Sequence, residues 1–219
     1  MIVPSSEKRL ITFRSIGVSY MFASCCLLLS QIIGLIAFSK DLTIISYWNH
    51  IYSSLNLISM LMLLIGLVGT FLYHFQRIGK FGIVSFVVAF MGTMLIAGDA
   101  WFEAFVVPFV ANTAPQLVNE VPSGSLIIGA LLSFLSFSIG WILVGISCLK
   151  ARIIPKYISI LIICGGIFGF KALTIPYLFV LAIAVGFLGK WIYDNPKINY
   201  YENKPSLISK KDNRKPYHK

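Results

Sequence analysis

Charge is what this sequence has least of. Only 12% of its 219 residues are Asp, Glu, Lys or Arg, roughly half the share usual in soluble domains, which is about 25%. Acid is scarcer than base, with 8 Asp and Glu against 18 Lys and Arg. Since 58% of the residues are hydrophobic, an ordinary soluble domain is excluded: its core has no room for so much apolar side chain. Cysteine is also sparse. Cys25, Cys26, Cys148 and Cys164 all fall inside apolar runs, without a C-x-x-C pair or accompanying histidines. They read as small buried hydrophobes, and neither a metal nor a disulfide role is supported. No H-E-x-x-H, G-x-S-x-G, P-loop or dinucleotide fingerprint occurs, so no cofactor is expected.

What the chain has in quantity is uninterrupted apolar sequence. A bilayer's hydrocarbon requires about 20 apolar residues per helix. Open sheets are excluded there because edge amides would go unpaired, and the runs lack the alternation of a barrel strand. The expected fold is therefore all-α, a polytopic transmembrane helix bundle. Six spans are expected, at about 15–38, 51–73, 81–100, 126–149, 153–170 and 175–193. The first is too long to be a signal-peptide core, which covers about 7 to 15 residues. The last apolar stretch, 153–193, is divided into two spans at "FKALTIP", where Thr174 is suited to cap a new helix that Pro176 enters near its start. Residues 1–194 form one transmembrane domain; 195–219 form a polar, lysine-rich tail expected to be disordered or to lie on lipid.

Basic residues give the orientation. With the N-terminus inside, the alternating loops and the tail place every Lys and Arg except Lys40 and Lys171 on the cytoplasmic side. That agrees with the positive-inside rule and predicts an N-in/C-in topology in the plasma membrane. The net charge of +10 is concentrated next to span ends and in the tail. The expected partners are accordingly the lipid bilayer and its anionic head groups, reached through the C-terminal tail, and not nucleic acid.

Small residues predict the packing seams, because backbones approach closely in lipid only where side chains are small. Gly129, Ser133, Ser136, Gly140 and Ser147 make one stripe on the fourth span, Gly165 and Gly169 mark the fifth, and Ala182 and Gly186 the sixth. Gln31 and Asn56 are expected to hydrogen-bond to neighbouring helices. His50 and His74 bracket the second span, about 36 Å apart on a straight helix, and cannot share one metal.

Few polar residues remain to carry chemistry. In "GDAWFEAFVVPFVANTAP", residues 98–115, Asp99 reaches the outer interface and Glu103 follows four residues later on the same face, with Trp101 and Phe102 directed elsewhere. Either the two carboxylates end the span in head-group water, or the apolar continuation folds back over them, bent at Pro108. Lys171 ends the fifth span at the same depth and is expected to contact Asp99 or Glu103. Asp99, Glu103, Lys171 and Trp101 form the candidate polar cluster; no catalytic or metal-ligating residue is assigned.

Three stretches, "LYHFQRIGKFG", "GDAWFEAFVVPFVANTAP" and "GWILVGISCLKARIIPKYISILIICGG", carry a W-x-E-x-F-V-x-P segment at the end of the third span and an A-R-x-x-P turn between the fourth and fifth. In these the chain resembles a loose group of uncharacterised small bacterial polytopic membrane proteins, over the middle half of its length. The resemblance implies a bacterial plasma membrane and carries no activity. Three functions are compatible with the residues: a non-enzymatic accessory, sensory or protective membrane component; a small-solute or proton-linked transporter using an outer acidic vestibule; and a lipid-modifying membrane enzyme with Glu103 as general base. The transporter would ordinarily place ionisable groups near mid-membrane, where this chain has none. The enzyme would need a second group within hydrogen-bond reach of Glu103, and no histidine lies on that stretch.

Overall fold

A computed structural model describes residues 6–39, 47–118, 124–169 and 178–195. Among the described residues the fold is helical throughout, with α1 Ser6–Ser39, α2 Tyr47–Trp101, a π turn at Phe102–Val106, α3 Val107–Thr113, α4 Pro115–Val118, α5 Gly124–Ala151, α6 Lys156–Gly169 and α7 Phe179–Asp194. Among the described residues four stretches are long and apolar enough to cross a membrane: Phe13–Ala37, Tyr47–His74, Gly79–Thr113 and Gly124–Ala151, while Lys156–Gly169 is a shorter apolar helix. Helices are what such a composition permits, since each backbone N–H must find its acceptor within its own segment once water is gone.

Helix α2 is two limbs of a hairpin. Gly79 sits at φ 64°, ψ −173°, a conformation that only glycine adopts without strain. A Cβ at Gly79 would touch nothing, so glycine is required there for its backbone angle and not for room. Reversal at this point brings Phe71 onto Phe86, stacked with ring centroids 3.9 Å apart. Fifty residues of separation likewise close to a hydrogen bond between Ser53 and Glu103. The turn from α5 into α6 is made differently. Arg152 takes the left-handed conformation at φ 52°, and the Ile153 N–H reaches back to the Cys148 carbonyl at 3.3 Å, which satisfies an orphan acceptor at the helix end.

The helices close into a ring. Helix α1 packs on α2 and α7, α5 on α2 and α6, and α6 on α7. Glycines set the closest crossings. On the second limb of α2, a Cβ at Gly92 would lie 2.3 Å from the Phe137 nitrogen, and on α5 a Cβ at Gly140 would lie 2.4 Å from the Ala89 Cα. Between α1 and α7, Gly17 and Gly189 each fill the space that the other's Cβ would need, at 2.8 Å and 2.7 Å from the opposing carbonyl oxygen. Inside the ring, Phe13, Tyr20, Leu27, Met60, Phe137, Trp141 and Leu181 belong to one buried cluster.

The small-residue seams hold where helices cross, and fail at one end of α5. Gly140 and Ser147 are buried, Gly165 meets the Leu181 backbone, and Gly186 meets the Ser24 hydroxyl, which donates to the Ala182 carbonyl at 2.7 Å. Gly129, expected in the same seam, faces open space. Below the Gly92–Phe137 contact the second limb of α2 and α5 touch backbone to backbone. Above it they part, leaving Leu126, Ile128, Leu131 and Leu132 each more than half exposed.

The third apolar helix also runs further than its expected end near residue 100. It continues through the π turn to Thr113 and does not fold back over its carboxylates. Of the fifth and sixth expected spans, α6 and α7 are described; the dividing residues 170–177, with Thr174 and Pro176, lie outside the described residues, as does the tail from residue 196. Gln31 is buried, and its side-chain oxygen accepts at 3.5 Å from the N–H of Leu178, the residue that precedes α7. Asn56 is buried with its Oδ1 unpartnered, as is the Gln31 Nε2.

Candidate functional site

Pro108 organises the end of the α2 hairpin that lies away from Gly79. Proline has no N–H, so the α-helical bond from residue 108 to the carbonyl four residues earlier cannot form. That carbonyl belongs to Ala104, and the helix answers in two ways. The chain widens into the π turn, in which the Val107 N–H bonds to the Phe102 carbonyl. From the first limb of α2, the His50 Nδ1 lies 2.9 Å from the Ala104 oxygen. A carbonyl only accepts, so Nδ1 carries the hydrogen and Nε2 is left as the imidazole's other face. The His50 ring also meets Phe105 edge-on, with centroids 6.3 Å apart. π turns of this kind recur at functional sites because they re-aim the side chains they carry.

Glu103 lies within that turn. It is partly buried, and the fully buried Ser53 donates its hydroxyl to Oε2 at 2.9 Å. Asp99 instead lines a groove of about 920 Å³ between the second limb of α2 and the N-terminal part of α5. Leu95 and Phe102 flank it on its own helix; the facing wall is the stretch of α5 from Ser125 to Leu135. Among the described residues lining the groove Asp99 is the only charged one, and the other polar ones are Ser125 and Ser133. The Ser133 hydroxyl donates to the Gly129 carbonyl of its own helix at 2.9 Å.

The four residues of the expected cluster thus have different places. Asp99 and Glu103 are one turn apart, yet Asp99 faces the groove and Glu103 is tied to the first limb of α2. Phe102, expected to point away, shares the groove with Asp99. Trp101 is half exposed, its ring 6.0 Å from that of Phe105, an outward position suited to an interfacial aromatic. Lys171 lies outside the described residues, and so does its expected contact with either acid.

Sequence reasoning missed His50 and Ser53 as partners of the acidic segment. Both signals were present: a proline that must orphan the Ala104 carbonyl, and a glycine turn at residue 79 about which residues 53 and 103 stand nearly equidistant. Among the described residues, no group of three or more His, Cys, Asp or Glu is placed to hold a metal ion. No family model, no curated protein and no solved structure matches the chain.

The link between Pro108 and His50 predicts a coupled pair of substitutions. His50→Ala is expected to lower stability by about 1 kcal/mol, the net worth of one hydrogen bond. Pro108→Ala restores an N–H directed at the Ala104 carbonyl, so in that background the loss from His50→Ala should nearly vanish. Reversible unfolding in mixed micelles measures both. Equal losses in the two backgrounds would show that His50 is not serving the acceptor that proline leaves open.

Proposed function

We propose that this chain is a bacterial plasma-membrane protein with six crossings and both termini in the cytoplasm, and that it acts by binding amphiphiles from the outer leaflet. In this reading it is a non-enzymatic sensory or protective component. Two of the six crossings are short. Support for them comes from α6 and α7, which complete the ring between α5 and α1, and from the basic residues, which then stay almost entirely inside. The tail holds anionic head groups on the cytoplasmic face.

One observation carries the functional reading: the groove between the second limb of α2 and α5 is apolar, open along its side, and holds a single carboxylate among the described residues that line it. Its volume of about 920 Å³ falls within the roughly 300 to 1,000 Å³ of small-molecule sites. A transporter would enclose its carboxylates in a polar passage, whereas Asp99 faces aliphatic walls. For a lipid-modifying enzyme the sequence reading required a second reactive group beside Glu103; the hydrogen bond that the structure gives this carboxylate comes from a serine hydroxyl.

The test has two parts. Tags at both chain ends should be inaccessible from outside intact cells; labelling of either end would refute the topology. A photoactivatable fatty alcohol, in nanodiscs of phosphatidylcholine, should crosslink preferentially to residues 125–135, and Gly129→Phe should abolish that preference. Uniform labelling of all lipid-facing helices would refute the groove as a binding site. Gly129 is suited to the purpose because a Cβ there meets nothing within 4 Å, so the substitution fills the groove without disturbing a helix crossing.

A further inference from the structure

Resting on the groove as the binding site, we infer that its ligand is a cationic amphiphile, an alkyl chain bearing a quaternary ammonium head. Three features select this chemistry.

The first is charge. Among the described residues that line the groove, Asp99 is the only ionisable one. An apolar occupant, whether a lipid chain or a hydrophobic helix, would cover a carboxylate without pairing it, which is strongly unfavourable in a medium of low dielectric. A second copy of the chain is disfavoured for a related reason: in a two-fold contact of groove on groove the same residue comes from both sides, bringing two Asp99 carboxylates together. Ordinary phospholipids place an anionic phosphate next to the acid. A cation without a phosphate satisfies the site.

The second is the aromatic beside the acid. Phe102 lines the same groove as Asp99, three residues along the chain and so on an adjoining part of the helix surface. An aromatic ring and a carboxylate together favour a quaternary ammonium, whose diffuse charge is weakly hydrated and attracted to a ring face.

The third is length. The α5 wall runs from Ser125 to Leu135, and ten helical steps of about 1.5 Å make roughly 15 Å, half of a hydrocarbon thickness of about 30 Å. The trough is as deep as one leaflet. With Leu126, Leu131 and Leu132 exposed along it, it accepts a single alkyl chain entering sideways from the outer leaflet.

The experiment uses the full-length protein in phosphatidylcholine nanodiscs, with empty nanodiscs subtracted, and equilibrium dialysis of two radiolabelled probes sharing one chain: dodecyltrimethylammonium and dodecanol. Dodecyltrimethylammonium is expected to bind in excess over the empty disc. Asp99→Asn should weaken its binding tenfold or more without weakening that of dodecanol, Asp99→Glu should retain most of the affinity, and Gly129→Phe should remove both probes. If Asp99→Asn affects neither probe while Gly129→Phe removes both, the groove stands and the charge recognition is overturned. If Gly129→Phe leaves both bound, the groove reading itself fails. Elution of each variant as the same single species in size-exclusion chromatography secures the comparison against misfolding.

Discussion

Gly140→Leu is expected to prevent the α2 hairpin from docking on α5, with most of the protein lost to aggregation. The position has no spare volume, since a Cβ would lie 2.4 Å from the Ala89 Cα and 2.5 Å from its nitrogen. Both obstacles are backbone atoms of a helix, which cannot rotate aside as the tip of a side chain can. Overpacking usually costs about 1 to 3 kcal/mol where side chains can adjust; here the helices must separate, and the loss should reach or exceed the top of that range. In lipid there is no water-driven force to restore the contact. Helix association rests on van der Waals packing and hydrogen bonds, both steep in distance. Even Gly140→Ala should be harmful for the same reason. The control is Gly129→Leu on the same helix, where the added atoms meet open space. Thermal unfolding followed by size-exclusion chromatography in mild detergent compares the two. Equal midpoints for Gly140→Leu and Gly129→Leu would mean that the close crossing of α2 and α5 is wrong.

The second large effect is expected at Trp141, the largest fully buried side chain among the described residues. It is one turn from Phe137, with ring centroids 6.2 Å apart, and its Nε1 donates to the Thr93 hydroxyl at 3.2 Å. That hydroxyl in turn donates to the Ala89 carbonyl at 2.7 Å, so one chain of hydrogen bonds joins α5 to the second limb of α2 beside the glycine crossing. Trp141→Ala removes both the volume and the bond. Large-to-small changes of this kind cost about 3 to 5 kcal/mol in water-soluble cores. The cavity part of that cost persists in lipid, because it comes from contacts that the surrounding helices cannot remake. Trp141→Phe isolates the hydrogen bond and the second ring, and should cost less. Combined with Thr93→Val it forms a double-mutant cycle whose coupling is expected at about 1 kcal/mol, near the average for interhelical bonds in membrane proteins of roughly 0.6 to 2. A Trp141→Ala protein as stable as the parent would show that this ring does not anchor the bundle.

These two residues show how unevenly the sequence reveals the packing. Gly140 was legible as a seam residue, because small side chains recurring on one face of an apolar helix have one obvious use in lipid. Gly129 belongs to the same stripe and lies in the open. What separates them is the splay of two helices above the Gly92–Phe137 contact, and that depends on how every pair in the ring crosses. A hydroxyl such as Thr93 gives no sign of its role in the sequence either: it bonds to its own helix, as such residues commonly do, while receiving a tryptophan from another.

The polar cluster divides in the same manner. Counting from Lys80 at a fixed rise per residue put Asp99 and Glu103 at the end of the third span, whereas the apolar helix runs on past both to Thr113. Their separate uses could not be counted at all. Glu103 meets Ser53, and His50 meets Ala104, only because the hairpin turning at Gly79 sets limb against limb in one register. Asp99 gains its groove only because α5 leans away.

Local chemistry alone was enough for the helical character, the apolar stretches of bilayer length and a break between residues 73 and 81, because each follows from backbone groups that must be paired within a short segment or from an interruption of the apolar run. Only the tertiary arrangement decided which carbonyl His50 serves, which of two neighbouring carboxylates faces a cavity, and which half of a small-residue stripe is packed. Contacts between helices depend on their register and tilt, and those are set jointly by all the crossings in the ring.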